Sequence, residues 1–244
     1  MCKSYKNSDR YCEDINQALI KHLPEGSLVL DVGCGYGTLW EGLKDKKNYV
    51  VGLDIEKSVL EVSKNRFNEF YQVDITNFDN VLSTIKIKNF DVILFADILE
   101  HVYDPLTVLA NYQTLLKKGG KIIISVPNAV VWDVRLKFLL GEFDYTDTGT
   151  CDSTHVRFFT MKSFTKLLDE ANLKIVEQDF NPGIFRPFVP IVKKFFKNDS
   201  RTAILDSPLY KAYLKYIYPI EKIFCNLNKG LFAFQFIFVA EKDD

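Results

Sequence analysis

Apolar positions along this chain fall into two kinds of run. Short stretches dense in Val, Ile, Leu and Phe recur from residue 28 to about residue 180, separated by segments with helical spacing. Dense short runs suit strands buried on both faces, so the alternation predicts a parallel sheet covered by helices on each side. The strands expected are Ser27–Val32, Tyr49–Asp54, Glu69–Val73, Phe90–Phe95, Lys121–Val126 and Leu173–Asp179. Helices are expected at Thr38–Lys44, Lys57–Asn65, Asn80–Ile85, Pro105–Leu116 and Met161–Ala171, the last capped by Thr160. Ahead of them, Tyr11, Ile15, Leu19 and Leu23 mark one face of a helix over Ser8–Leu23. Lys118-Gly119-Gly120 reads as a turn into the fifth strand, and Leu231–Glu241 as a last, strongly β-prone strand.

Two stretches interrupt the pattern. Residues 127–160 are too long for a plain connection, and long ordered loops at strand ends usually carry function. Residues 181–230 hold nine Lys/Arg against three Asp/Glu, with nine Phe/Tyr interleaved, and read as an inserted helical subdomain. The chain thus divides into a core over 1–180, an aromatic and basic insert over 181–230, and a closing strand within 231–244. The insert fits a cap over an acceptor site, a subunit interface or a membrane-surface element. Pro187 and Pro190 interrupt a continuous membrane helix, which puts the cap first and the membrane last.

Composition narrows the function classes. The 244 residues are 47% hydrophobic, with 31 Lys+Arg against 32 Asp+Glu, so no global field exists to hold a polyanion. Nucleic acid is therefore not expected as the main partner. The five cysteines, Cys2, Cys12, Cys34, Cys151 and Cys225, form no C-x-x-C pair and suggest neither a disulfide framework nor a zinc site. No cluster shows metal-ligand spacing, so no metal is expected. A polar N-terminus without an apolar core segment, and no apolar run approaching the length of a span, lead to the expectation of a cytoplasmic protein.

The sharpest chemical signal is Val29-Leu30-Asp31-Val32-Gly33-Cys34-Gly35-Tyr36-Gly37, a strand running into three glycines spaced two apart. Glycine lets a backbone turn tightly and touch a ligand. A dinucleotide fingerprint places its third glycine three residues after the second, whereas here the interval is two. Asp31, two residues before Gly33, would repel a pyrophosphate but suits an ammonium or a sulfonium. Asp54, at the end of the second strand, can accept both hydroxyls of a ribose, and Asp74 after the third can accept from an adenine amino group.

These segments, with Phe90-Asp91-Val92-Ile93 and Asp97-Ile98-Leu99-Glu100-His101-Val102, resemble the successive motifs of class I S-adenosylmethionine-dependent methyltransferases across most of residues 11–180. The resemblance implies a Rossmann-like, doubly wound α/β sheet of seven strands, mostly parallel. The last strand would be antiparallel and lie between Lys121–Val126 and Leu173–Asp179. It also implies that S-adenosyl-L-methionine is held by Asp31, Gly33, Cys34, Gly35 and Gly37 at its methionine part. Asp54 with Ile55 would hold the ribose, Asp74 with Ile75 the adenine, and Ala96 with the neighbouring His101 the amino-acid end.

Methyl transfer is in-line displacement at an activated donor, so alignment matters most and a base is needed chiefly for a hydroxyl acceptor. His101 is a candidate base, although packing beside the cofactor without chemistry is the favoured role. In an extended Thr154–Phe159, His155, Arg157 and Phe159 would share one face, aiming an imidazole and a guanidinium at the acceptor, while Val156 and Phe158 face the core. The competing structural reading has Arg157 paired with Asp152 and His155 capping Met161–Ala171. Tyr145 stands in the same segment as a further substrate contact. This segment resembles one in bacterial methyltransferases of glycan and natural-product pathways, which implies oxygen, or second nitrogen, of a small polar metabolite such as a sugar or nucleotide-sugar of a capsule pathway. The acceptor would be phosphorylated or nucleotide-linked if the basic cap meets it, and a homodimer is compatible with the insert. The alternatives are a non-catalytic cofactor-binding subunit and a nucleic-acid methyltransferase. The second lacks its Pro-Pro-aromatic motif, since Phe95-Ala96-Asp97-Ile98 stands there.

Overall fold

The computed structural model describes residues 16–37, 39–58, 66–188 and 208–243. Seven strands form one sheet in the order β3-β2-β1-β4-β5-β7-β6. They are β1 (Leu28–Val32), β2 (Tyr49–Asp54), β3 (Glu69–Gln72), β4 (Phe90–Ala96), β5 (Leu116–Pro127), β6 (Leu173–Pro182) and β7 (Ala233–Lys242). The first five pair in parallel, and β7 runs antiparallel between β5 and β6. The strand order expected from the resemblance is the one observed.

Alternation of side chains across the sheet builds two core layers. Leu30 and Val32 of β1 join one layer with Ile93 and Phe95 of β4 and Phe236 and Phe238 of β7. Helices α3 (Phe78–Thr84), α4 (Pro105–Tyr112) and α6 (Met161–Glu170) cover it with Val81, Leu109, Tyr112 and Phe164. Val29, Val92, Leu94 and Ile237 face the other way, onto α1 (Gln17–Ile20) and α2 (Trp40–Asp45) through Leu19, Ile20 and Leu43. Each such fully buried aliphatic or phenyl group contributes about 1.5–3 kcal/mol. Thr160 caps α6 as expected, in a reciprocal capping box with Ser163.

Several expectations are corrected. Lys118-Gly119-Gly120 lies inside β5 as a bulge: Phe90 pairs with Leu116 and Val92 with Lys121, so two steps along β4 face five along β5. Residues 127–160 are not all loop, because α5 spans Trp132–Leu139. The last strand starts at Ala233, since Lys229–Phe232 closes a helical turn capped by Asn228. Residues 8–15 and 59–65 of the expected helices lie outside the described residues. In the insert, α7 (Pro208–Ala212) and α8 (Tyr218–Leu227) are described, and α8 docks on β6. There Glu221 accepts the Phe185 amide at 3.0 Å, and Lys222 pairs with Asp179 at 3.3 Å. Among the described residues no helix is long and apolar enough to cross a membrane.

Candidate active site

The chain runs from β1 outward to β3 and then returns to start β4 on the other side of β1, so the sheet's switch point lies between β1 and β4. In open α/β sheets, ligands bind outside the carboxyl ends of the strands at that point. The glycine turn sits there. Gly33, Gly35 and Gly37 all take positive φ, at 71°, 50° and 72°. A Cβ on Gly33 would lie 2.6 Å from Ile98 Cδ1, so the residue is needed both for its conformation and for the approach of the segment after β4. The Gly35 amide donates to Asp54 Oδ2 at 2.8 Å, and the Glu56 amide donates to Oδ1 at 2.9 Å.

Asp31 pairs in register with Gly52 on one side and Leu94 on the other, and is 2% exposed. Burial, with the like charge of Asp54, pushes its carboxyl up to about 7. A buried acid whose charged neighbour is another acid fits a cationic ligand, as the ammonium of S-adenosylmethionine would be. Burial also raises Asp54, opposed by the Glu56 and Gly35 amides. Cys34 is buried against Gly52, and burial raises its thiol well above the ordinary range, which suits packing rather than nucleophilic work. Asp74 is exposed and uses Oδ1 to accept from Thr76. Ile55 projects into solvent, whereas Ile75 is buried and offers its carbonyl to the Tyr112 hydroxyl. Ala96 closes β4 at the rim.

Beyond Ala96, Asp97 adopts φ 52°, and both its carboxylate oxygens accept from Gln235 Nε2, at 2.7 and 2.6 Å. Asn16 and Asn181 in turn donate to Gln235 Oε1, joining β4, β6, β7 and the start of α1 in one polar network. Sequence reasoning assigns no role to Asp97, Gln235 or Glu100. The one signal available was an acid on either side of the Ile98-Leu99 pair.

The long segment is pinned here. Its ends meet where Ala129 donates to Phe159 O at 2.8 Å, and Val156 and Arg157 both donate to Glu100 O, at 2.9 and 3.0 Å. His155 and His101 are thereby brought together, ring centroids 4.8 Å apart in an edge-to-face arrangement, with His155 Nε2 4.0 Å from Glu100 Oε1. Both Glu100 oxygens are buried without a hydrogen-bond partner. Burial first, then the charges of Asp97 and Asp152, hold this carboxyl well above its usual range. Partial burial and the His155 imidazole keep His101 below the ordinary histidine value.

The other expectations for this segment are corrected. Phe159 is buried against Phe164 while Phe158 is exposed, the reverse of the expected faces. Two successive amides on one carbonyl break strand alternation. His155 therefore turns inward to Glu100, and exposed Arg157 reaches the Tyr103 carbonyl in a groove with Phe158 and Lys166. Asp152 is taken by Thr154, not Arg157, and Thr160 caps α6 in place of His155. Tyr145 stands exposed beside Phe143, which stacks on Phe138.

Residues 5–178 match the model of a family described as "Methyltransferase domain". The chain is 30% identical over 176 residues to the ubiquinone biosynthesis O-methyltransferase of Coxiella burnetii, covering 67% of this chain and 72% of that one. A SAM-dependent methyltransferase from Archaeoglobus fulgidus is similar in fold, with a TM-score of 0.56 at 20% identity over 92% of this chain and 88% of that one. Phosphoethanolamine N-methyltransferase 2 of Haemonchus contortus, solved in complex with S-adenosyl-L-methionine, gives 0.56 at 15% identity over 91% of this chain and 50% of that one. At these identities the solved structures speak for the fold alone.

Proposed function

The chain belongs to the class I S-adenosylmethionine-dependent methyltransferases, and on that premise we propose that it methylates a hydroxyl oxygen of a small acceptor resembling a hydroxylated quinone precursor. The observation that carries the hydroxyl assignment is the convergence of His101 and His155 on Glu100 at the exit of β4, beside the glycine turn. An amine acceptor can shed its proton unaided, whereas a hydroxyl gains from groups that draw its proton away in the transition state. The oxygen-specific relative from Coxiella burnetii points the same way. None of the relatives named above concerns a glycan, so sugars serve here as control acceptors.

When bound, the cofactor supplies a sulfonium methyl group already activated for displacement. The chain's residues then hold and align. Asp31 would face the ammonium, Asp54 would accept the ribose hydroxyls with the lone pairs left by Gly35 and Glu56, and Asp74 would offer Oδ2 to the adenine amino group. The segment from Asp152 to Arg157 is tied to the end of β4 through the Glu100 carbonyl and would help to align the acceptor oxygen, where alignment is worth more than any single contact.

The test is product mass. Incubation with methyl-labelled donor should add one methyl to a hydroxylated quinone precursor and leave sugars and nucleotide-sugars unchanged. Transfer to amines or sugars, with none to the aromatic hydroxyl, would overturn the proposal.

A further inference from the structure

Helix α8 presents its apolar side to solvent. Ile220, Ile223, Phe224 and Leu227, at three- and four-residue spacing, form one stripe, with Ile223 65% and Leu227 78% exposed. Tyr216 and Ile217, on the π-helical turn that leads into α8, are exposed as well and extend the stripe. The charged residues of this helix, Glu221 and Lys222, turn the other way, onto the Phe185 amide and Asp179. Glu221 also accepts from the Tyr213 hydroxyl, and buried Cys225 donates to Phe232 O at 3.3 Å. The polar and buried positions thus anchor the helix to its own core, and the apolar stripe is what it offers outward.

We propose that this stripe is the contact by which two copies of the chain pair about a two-fold axis, α8 antiparallel to α8. Area and charge both favour a second copy. The six side chains together expose about as much as three and a half whole ones, on the order of 600 Å² at roughly 150–200 Å² each. That matches the upper end of the largest apolar patch on a typical monomer and suits the centre of a standard interface, which takes about 800 Å² from each partner with its rim. No charged side chain of α8 stands on the stripe, so a self-complementary contact brings no like charges together at its centre. An anionic membrane would instead be gripped by cations flanking the apolar face, and the one cation of α8 is committed to Asp179. Centred between Ile223 and Phe224, the antiparallel pair sets Ile223 of one copy against Phe224 of the other, and Ile220 against Leu227. Pairing of this kind is independent of which acceptor is methylated.

Sedimentation velocity of the full-length protein, from about 1 to 50 μM, should show a dimer. Ile223→Asp and Leu227→Asp should each raise the dimer dissociation constant about 100-fold or more, since a charge is then buried at the centre of the contact. S-adenosylhomocysteine binding should persist in both variants, reporting an intact fold. A native protein that stays monomeric throughout, or a dimer that both substitutions leave unchanged, overturns the proposal. A monomer that sediments with phosphatidylcholine–phosphatidylglycerol vesicles, and ceases to do so as Ile223→Asp, overturns it in favour of a membrane. A monomer that binds no vesicle but melts several degrees lower as Ile223→Asp overturns it in favour of residues 189–207 of the same chain.

Discussion

The Gly35 amide donates to the Asp54 carboxylate across 2.8 Å, so the acid at the end of β2 holds the turn that follows β1. On the proposed cofactor assignment, the same side chain would also hold the ribose. Asp54→Ala should weaken S-adenosylhomocysteine binding by about 10- to 150-fold, since each lost hydrogen bond to a charged group is worth about 1.5–3 kcal/mol. Calorimetry checks this, and an unchanged dissociation constant would remove Asp54 from the site.

Two glycines with nearly the same φ make different demands. Gly119, at 73°, has nothing within 4 Å of the place a Cβ would take, whereas at Gly33, with φ 71°, the same atom would meet Ile98. Gly119→Ala should lower stability by about 1–2 kcal/mol through conformation alone. Gly33→Ala should lower it further and weaken cofactor binding, with Ile98→Ala restoring part of the stability. Equal melting temperatures for the two single variants would refute the steric argument.

Asp31 sets a pH dependence. Its folded carboxyl, near 7, stands above the ordinary aspartate value of 3.8, so the folded apo protein holds a proton that the unfolded chain has released. Stability from this group is present at low pH and falls as pH rises from about 4 to 7, by at most roughly 1.4 kcal/mol per pH unit. A cationic ligand favours the ionised form, so cofactor affinity should rise through pH 7. In Asp31→Asn, apo stability at pH 8 should increase while affinity drops and loses this pH dependence. Affinity flat between pH 6 and 8 in the native protein would contradict the assignment.

Much of this is legible in the chain. Dense runs such as Val50–Leu53 and Ile122–Ile124 suit only buried strands, and the glycine spacing with Asp31 and Asp54 marks the switch point without any knowledge of the fold. What escapes depends on contacts between distant residues. A Lys-Gly-Gly sequence serves a turn and a bulge equally, and only pairing with β4 distinguishes them. Helix α5 buries Val134 but exposes Leu136, Phe138 and Leu139, so its apolar positions give no clean period. In Thr154–Phe159, Phe158 and Phe159 exchange their expected faces and His155 turns inward because the Glu100 carbonyl accepts two consecutive amides. Burial of Glu100 itself has no local signature, since a carboxylate beside a histidine reads as solvated.

Arg157 stands as a structural residue. Its exposed guanidinium is committed to the Tyr103 carbonyl. Arg157→Ala should lower the melting temperature by a few degrees and leave KM for the acceptor within about twofold. A large rise in KM at unchanged stability would return Arg157 to the substrate.

The central claim is that a hydroxyl is methylated at the cluster of Glu100, His101 and His155. Single-turnover transfer of a labelled methyl group to a hydroxylated quinone precursor tests it most directly, comparing the native enzyme with His155→Ala at saturating cofactor. The account predicts a loss of about 10²–10⁴-fold in rate, with S-adenosylhomocysteine affinity and melting temperature retained. A folded, cofactor-binding His155→Ala protein that transfers the methyl group at the native rate would contradict it.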